Sequence, residues 1–148
     1  MPNYGRQGQG GNSRQQPPRE PVEKAEYRDD KGHIAAKWVD SVAEKVAQYL
    51  GNEKLKPAQL RRFYSEVKML ERVWITRGRT EEEFALLLPQ VKILKAKAVY
   101  AKERGVAGDY FQRWMTEHVN AINTSREFEA FLLHFEAVVG FSKQYLKE

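Results

Sequence analysis

Two short stretches of the sequence combine cationic and aromatic side chains at spacings that suit noncovalent chemistry on a polyanion. Residues 60–64 read LRRFY, and residues 93–102 read ILKAKAVYAK. In both, Lys or Arg alternates with Tyr, Phe and aliphatic residues at helical spacing, so a packed helix would carry a cationic ridge on its outer side. Such a ridge binds phosphate groups without covalent chemistry. The two stretches therefore point to RNA binding.

The positive charge is concentrated around these stretches. The chain has a formal net charge of +5, and residues 51–104 contain thirteen Lys and Arg against seven Asp and Glu. Residues 105–148 carry four basic and six acidic residues. A basic surplus in one segment favours a polyanionic partner, because phosphate neutralisation with counterion release drives nucleic-acid binding. A solvated lysine-rich surface would give the same charge balance.

Helical geometry places the basic residues on defined faces. At about 100° per residue, Arg61, Lys68 and Arg72 lie within about 40° of one another, away from the apolar stripe of their helix. On the helix expected after Pro89, Lys92, Lys95 and Lys102 share one side, and Lys97 and Arg104 lie on another beside Tyr100. Lys102 and Arg104 fall in a last helical turn, where cations favour the helix dipole whatever the function. Phosphate contact is the preferred interpretation for Arg61, Arg62, Lys95 and Lys97.

The elements that must position these residues are helices throughout. Apolar residues recur three and four apart with almost no β-type alternation, which predicts an all-α fold, a single compact bundle of five or six helices. The stripes contribute a predicted core that includes Phe63, Trp74, Phe128, Phe131 and Phe135. The aromatic residues beside basic positions, Tyr64 and Tyr100, could instead offer a hydroxyl to a phosphate.

Local signals set the predicted helix boundaries. Helix one is expected from Ile34 to Leu50, and helix two from Pro57, a favoured first-turn residue. The pairs Thr80/Glu83 and Thr124/Glu127 are capping-box signatures that begin two further helices. Pro89 should end one helix near Leu87 and begin another that runs to Arg104, because proline lacks the amide donor and clashes with the preceding turn. Gly78, Gly105 and Gly108 are expected to end helical segments.

Composition divides the chain into a tail and one domain. Residues 1–20 consist mainly of Gly, Gln, Asn, Arg and Pro and cannot bury enough apolar surface to offset the entropy of ordering. We expect residues 1–33 to form a disordered N-terminal tail and flexible lead-in, with a turn at residues 29–32. The helical bundle domain is then residues 34–148, the length of one ordinary domain.

Residue types that would support catalysis are scarce. The three histidines are isolated in sequence without metal-ligand spacing, two of the four aspartates lie in the lead-in, and no phosphate-binding glycine loop is present. The chain has no cysteine and no apolar run that approaches a membrane span. We expect a cytoplasmic non-enzyme with no metal site, no cofactor and no membrane contact.

The two basic stretches, in this order and about thirty residues apart, resemble the small subunit of the type III-A CRISPR effector, the Csm complex. The first agreement is residues 60–67, LRRFYSEV, and the second is residues 94–101, LKAKAVYA. The Phe-rich final helix from Phe128 to Lys143 also resembles that of the family. The family usually has proline where this chain has Ala96 and alanine where it has Val99.

This resemblance implies a function and a set of partners. The family's small subunit is a helical, non-catalytic protein that lines up in several copies, contacts the backbone of crRNA and target RNA, and lies beside the repeated backbone subunit and the large (Cas10) subunit. Matching motif positions imply RNA contacts at Arg61, Arg62, Lys95, Lys97 and Tyr100. Helical geometry adds the candidates Lys92 and Lys68.

The resemblance implies RNA binding without base recognition and without a DNA-specific site, because a variable guide requires contacts to the backbone alone. Two alternatives come from the residues themselves. A helical protein-protein interaction module could use the same basic surface to dock an acidic partner. A metal-dependent RNase would need a carboxylate cluster, for which the sequence offers no good candidate.

Overall fold

The computed structural model describes residues 19–148, and six α-helices and one 3₁₀ turn account for most of them. The all-α bundle that the sequence predicted is confirmed, and the expectation of a disordered tail over residues 1–18 lies outside the described residues. The elements, in chain order, are a 3₁₀ turn Ala36–Val39, α1 Ser41–Asn52, α2 Pro57–Thr76, α3 Glu81–Lys92, α4 Leu94–Glu103, α5 Asp109–Ala121 and α6 Ser125–Tyr145.

Residues 20–39, which we call the strap, precede α1 and pack on the bundle. Within the strap, the Asp29 carboxylate accepts hydrogen bonds from the amides of Lys31 (2.9 Å) and His33 (3.0 Å), which forms the predicted turn. Tyr27 is only 4% exposed, and its carbonyl accepts a hydrogen bond from the Ala35 amide at 2.8 Å. Residues 20–33 therefore pack on the bundle, and Tyr27 is their buried apolar contact among charged neighbours.

The first helix differs from the prediction of one run over residues 34–50. It is split at Asp40, whose φ of −129° and ψ of −107° are not helical. The Trp38 carbonyl, which a continuous helix would pair with the amide four residues later, instead lies 2.6 Å from His134 Nδ1. Tertiary contacts of the buried Trp38 thus override the helical pattern, and α1 begins only at Ser41.

Helices α2 and α3 begin where the sequence predicted. Pro57 occupies the first turn of α2, and Gly78 has a φ of +99°, a conformation that glycine adopts without strain. Thr80 caps α3, since its hydroxyl oxygen accepts a hydrogen bond from the Glu83 amide at 3.2 Å. At α6, the side chains of Thr124 and Glu127 complete the second predicted capping box.

Pro89 does not break its helix, contrary to the prediction. Helix α3 continues through Pro89 to Lys92, and the interruption comes at Ile93 before α4 begins at Leu94. Pro89 and Ala85, whose carbonyl would have accepted the missing amide proton, are both exposed, so water can solvate that carbonyl. Amide Ile93 still bonds the Pro89 carbonyl at 3.0 Å, so α3 and α4 form one kinked rod.

Helix α6 lies at the centre of the packing. It packs against α1, α2 and the 3₁₀ turn, while α5 packs against α4. The predicted core aromatics are all buried: Phe63, Trp74, Phe128, Phe131 and Phe135. A Cβ atom at Gly51 would lie 2.5 Å from the Tyr145 carbonyl oxygen, so glycine is required where α1 meets the end of α6.

Candidate nucleic-acid interface

The guanidinium groups of Arg61 and Arg62 project from the outer face of α2. Both residues are exposed, whereas Leu60 and Phe63 on either side of them are buried at 1% and 5% exposure. Within residues 19–148, neither arginine pairs with a carboxylate or donates a hydrogen bond. The core contacts of the neighbouring residues therefore fix two adjacent cations on a rigid helix with their donors free.

Lys68 lies farther along α2 and has an internal partner. Its ammonium group forms an ion pair with Glu71 Oε1 at 2.6 Å, and that hydrogen bond raises the pKa of Lys68. Tyr64 beside it is half-buried against Phe135 of α6, with ring centroids 5.2 Å apart. The Lys68 charge is thus largely compensated at the edge between α2 and α6.

Lys92 and Lys95 converge on the C-terminal end of α5. The Lys92 ammonium donates to the Val119 carbonyl at 2.9 Å and to Asn123 Oδ1 at 3.2 Å. The Lys95 ammonium donates to Asn120 Oδ1 at 2.6 Å. Burial lowers the pKa of Lys92, and the nearby Lys95 charge lowers it further. These partners are neutral oxygens, so neither ammonium forms an ion pair within residues 19–148.

Lys97 projects from α4 toward α2. Its ammonium lies 3.0 Å from Glu66 Oε2 of α2, with the two side chains 48% and 38% exposed. Because residues two apart differ by about 200° on a helix, Lys97 and Lys95 occupy opposite sides of α4. Arg62 lies one turn before Glu66 on α2, so the two residues share one side of that helix.

Tyr100 lies on the outer surface of α4, where it is 65% exposed. The Arg104 guanidinium lies over its ring at 5.6 Å from the ring centroid, which is within cation–π range. The phenol hydroxyl therefore faces solvent one turn beyond Lys97, next to a second cation.

The structure divides the seven predicted residues into three groups. Within residues 19–148, Arg61 and Arg62 are unpaired, Lys92 and Lys95 are held by neutral oxygens, and Lys68 and Lys97 are paired with carboxylates. Tyr100 lies beside the last of these groups. Sequence reasoning missed the acceptors Asn120 and Asn123, because nothing local links them to lysines about 25 to 31 residues away.

The remaining titratable groups form no metal site in the part of the chain that the structure describes: no three His, Cys, Asp or Glu side chains converge there. Two of the three histidines, isolated from each other in the sequence, meet in the core. His118 and His134 are buried at 1% and 0% exposure, with ring centroids 4.8 Å apart. Among residues 19–148, no helix is long and apolar enough to cross a bilayer.

The chain matches the model of a protein family. The family described as Csm2 Type III-A matches residues 34–148, which is most of the chain and includes both basic stretches. No curated protein and no solved structure matches the chain significantly.

Proposed function

Since the chain belongs to the Csm2 Type III-A family, the small subunit of a type III-A CRISPR complex, we propose that it binds the sugar-phosphate backbone of crRNA and target RNA. In this proposal the chain is non-catalytic and acts in the cytoplasm. It packs beside other copies of itself and beside the backbone and large (Cas10) subunits. The unpaired guanidinium pair of Arg61 and Arg62 is the single observation on which the RNA contact rests.

Charge compensation ranks the candidate contacts. A cation already paired with a carboxylate must give up that pair before it can neutralise a phosphate, whereas an unpaired guanidinium loses only its hydration. Arg61 and Arg62 therefore rank first, and Lys92 with Lys95 follows, because neutral oxygens leave their charge in place. Lys68, Lys97 and Tyr100 rank last, as auxiliary contacts at the edges of the surface.

Such contacts favour binding that ignores base sequence. Guanidinium and ammonium groups on helices bind phosphate oxygens through charge-assisted hydrogen bonds. Backbone contacts position a strand and carry no sequence information. The proposed subunit would therefore hold guides of any sequence with similar affinity.

A protein-docking module is the second candidate function, and one observation favours it. Leu86, Ile93 and Tyr100 are spaced seven residues apart along the kinked rod of α3 and α4, and they are 66%, 52% and 65% exposed. Seven-residue spacing places them along one side of the rod. Aliphatic side chains contribute little to phosphate binding, so this side fits a protein partner better than an RNA strand.

Fluorescence anisotropy of labelled single-stranded RNA, titrated with the purified chain at low salt, tests the RNA proposal. Arg61→Glu with Arg62→Glu should reduce affinity by about 100-fold. The matched control Lys45→Glu with Lys143→Glu makes the same charge change on α1 and α6, outside the candidate residues, and should reduce affinity far less. Helical circular dichroism must be unchanged in both variants.

Two results would reject the proposal. One is equal loss in the α2 variant and the control, which would indicate a net-charge effect alone. The other is RNA affinity that is unchanged in the α2 variant. Retained association with the other Csm subunits in that second case would support the protein-docking function instead.

A further inference from the structure

Two buried histidines join the strap to the bundle. His118 of α5 and His134 of α6 stack with their ring planes 26° apart. Each Nδ1 atom meets a group from the strap. The Tyr27 hydroxyl lies 2.6 Å from His118 Nδ1, and the Trp38 carbonyl lies 2.6 Å from His134 Nδ1.

The hydrogen bonds of His134 define its protonation state. The Trp114 indole N–H, which can only donate, lies 3.2 Å from His134 Nε2, so that nitrogen is the acceptor. His134 Nδ1 therefore carries the proton and donates to the Trp38 carbonyl. A second proton on Nε2 would point at the indole N–H, so the observed packing requires a neutral imidazole.

The surroundings of the pair are apolar and aromatic. Trp38, Trp114 and Phe131 all contact His118 ring to ring. Burial lowers the pKa of both histidines, that of His134 to about 4, and the neighbouring His134 lowers the pKa of His118 further. Neither imidazole forms an ion pair with a carboxylate of residues 19–148.

The charged and titratable groups that face this cluster come from each element packed around it. The strap contributes Tyr27 itself, whose pKa burial raises first and the Glu117 and Glu127 charges raise further. Glu117 belongs to α5 and Glu127 to α6. The 3₁₀ turn contributes Lys37, whose ammonium lies 5.6 Å from the centroid of the Trp38 ring.

We propose that the two histidines form an acid-released latch: neutral imidazoles hold the strap against α5 and α6, and protonation releases the strap while the rest of the bundle stays folded. The strap is also attached by the burial of the Tyr27 and Trp38 rings, which pack on the histidines themselves. Its remaining hydrogen bonds to the bundle lie at or near the surface: the Ala25 amide to Glu117 (3.1 Å), Arg113 to the Glu20 carbonyl (2.9 Å), Arg28 to the Arg126 carbonyl (3.0 Å) and Arg126 to the Gly32 carbonyl (3.2 Å). At the α2–α3 end of the core, the rings of Trp74, Phe84 and Phe128 pack on one another, and no ring of the strap packs on them.

The direction in which pH affects docking of the strap follows from the lowered pKa values of the two histidines. The released strap exposes both imidazoles, whose pKa returns toward 6.5, so the released state binds more protons than the docked state. Docking therefore weakens as the pH falls from about 6.5 toward 4 and stays constant above about 7. At pH near 5, His134 alone raises the release constant about 30-fold.

Hydrogen exchange of the full chain, measured by NMR at pH 7 and pH 5 and corrected for the intrinsic exchange rate, tests the latch. The reporters in the strap are the Ala35 amide and the Trp38 indole N–H, which donate to the carbonyls of Tyr27 and Glu26. Their protection factors should fall at least about 20-fold between pH 7 and pH 5. The Val67 amide of α2 should change little. Unchanged protection in the strap, or an equal fall at Val67, would overturn the proposal.

Two variants separate the latch from a general acid effect. His134→Gln keeps a donor and an acceptor without a titratable group, so the pH dependence of strap protection should shrink by about the factor that His134 supplies. The control His33→Gln removes an exposed histidine and should leave the pH dependence unchanged. If His134→Gln fails to fold, the proposal is tested by the wild-type chain alone, from the change in protection of the Ala35 amide compared with that of the Val67 amide. If His33→Gln abolished the pH dependence of strap protection, the latch would be refuted.

Discussion

The basic residues of α2 and those of α4 are alike in sequence and differ in what surrounds them. Arg61 and Arg62 have no partner among residues 19–148, whereas Lys95 is bonded to Asn120 and Lys97 to Glu66. The difference arises because α2 turns its outer face to solvent, while α4 lies between α2 and the end of α5. A run of basic residues thus shows where positive charge lies in the sequence, but not whether those side chains are paired with other groups in the fold.

Charge reversal of each pair measures this difference directly and has the largest expected effect. Arg61→Glu with Arg62→Glu should weaken RNA binding about 100-fold, and Lys95→Glu with Lys97→Glu about 10-fold, because only part of the α4 charge is free to bind phosphate. Anisotropy titrations at one salt concentration compare the two variants. A larger loss for the α4 pair would reverse the ranking of the two surfaces.

Removal of the Lys92 charge should affect stability more than RNA binding. Lys92→Met keeps the aliphatic stem but loses the hydrogen bonds to the Val119 carbonyl and Asn123 at the end of α5. The free energy of unfolding should fall by about 1 kcal/mol, since charged donors stabilise a helix C-terminus. Urea denaturation measures it, with Lys45→Met as the exposed control. A loss equal to that of the control would show that these bonds contribute nothing.

Release of Lys97 from Glu66 should have the smallest effect on RNA affinity. It tests whether the ion pair is what distinguishes the cations of α4 from those of α2. Glu66→Gln removes the ion pair, so RNA affinity should rise about twofold while the unfolding free energy changes by less than about 0.5 kcal/mol. Glu82→Gln on α3 makes the same charge change away from Lys97 and serves as control. Equal gains in both variants would mean that the Glu66 pair does not restrain Lys97.

Much of the fold could be predicted because its signals are local. Apolar spacing gave the helices, Pro57 gave the start of α2, and the Thr80 and Thr124 caps gave two more boundaries. These signals act within one or two turns, where backbone hydrogen bonding dominates. The predicted core aromatics followed from the same periodicity.

What the sequence could not predict depends on contacts between distant residues or on solvent exposure. The split before α1 depends on His134, 96 residues after Trp38, and the packing of the strap depends on the contact between Tyr27 and His118. The continuation of α3 through Pro89 depends on which side of the helix faces solvent. None of these contacts leaves a trace in local sequence, since each depends on how complete helices pack.

The candidate interface divides in the same way. Its residue types and their helical faces could be predicted, because a helix fixes the direction of each side chain. The partners of those side chains could not, because Glu66, Asn120 and Asn123 reach the lysines of α3 and α4 only through the packing of whole helices against one another.

The salt dependence of RNA binding tests the central claim most directly, that the free guanidinium pair of α2 neutralises backbone phosphates. The slope of log affinity against log salt concentration should be shallower by about 1.4 in Arg61→Ala with Arg62→Ala, as expected for two phosphate contacts on a single strand. The change should be the same for RNAs of different sequence. An unchanged slope, or a change confined to one sequence, would contradict the account.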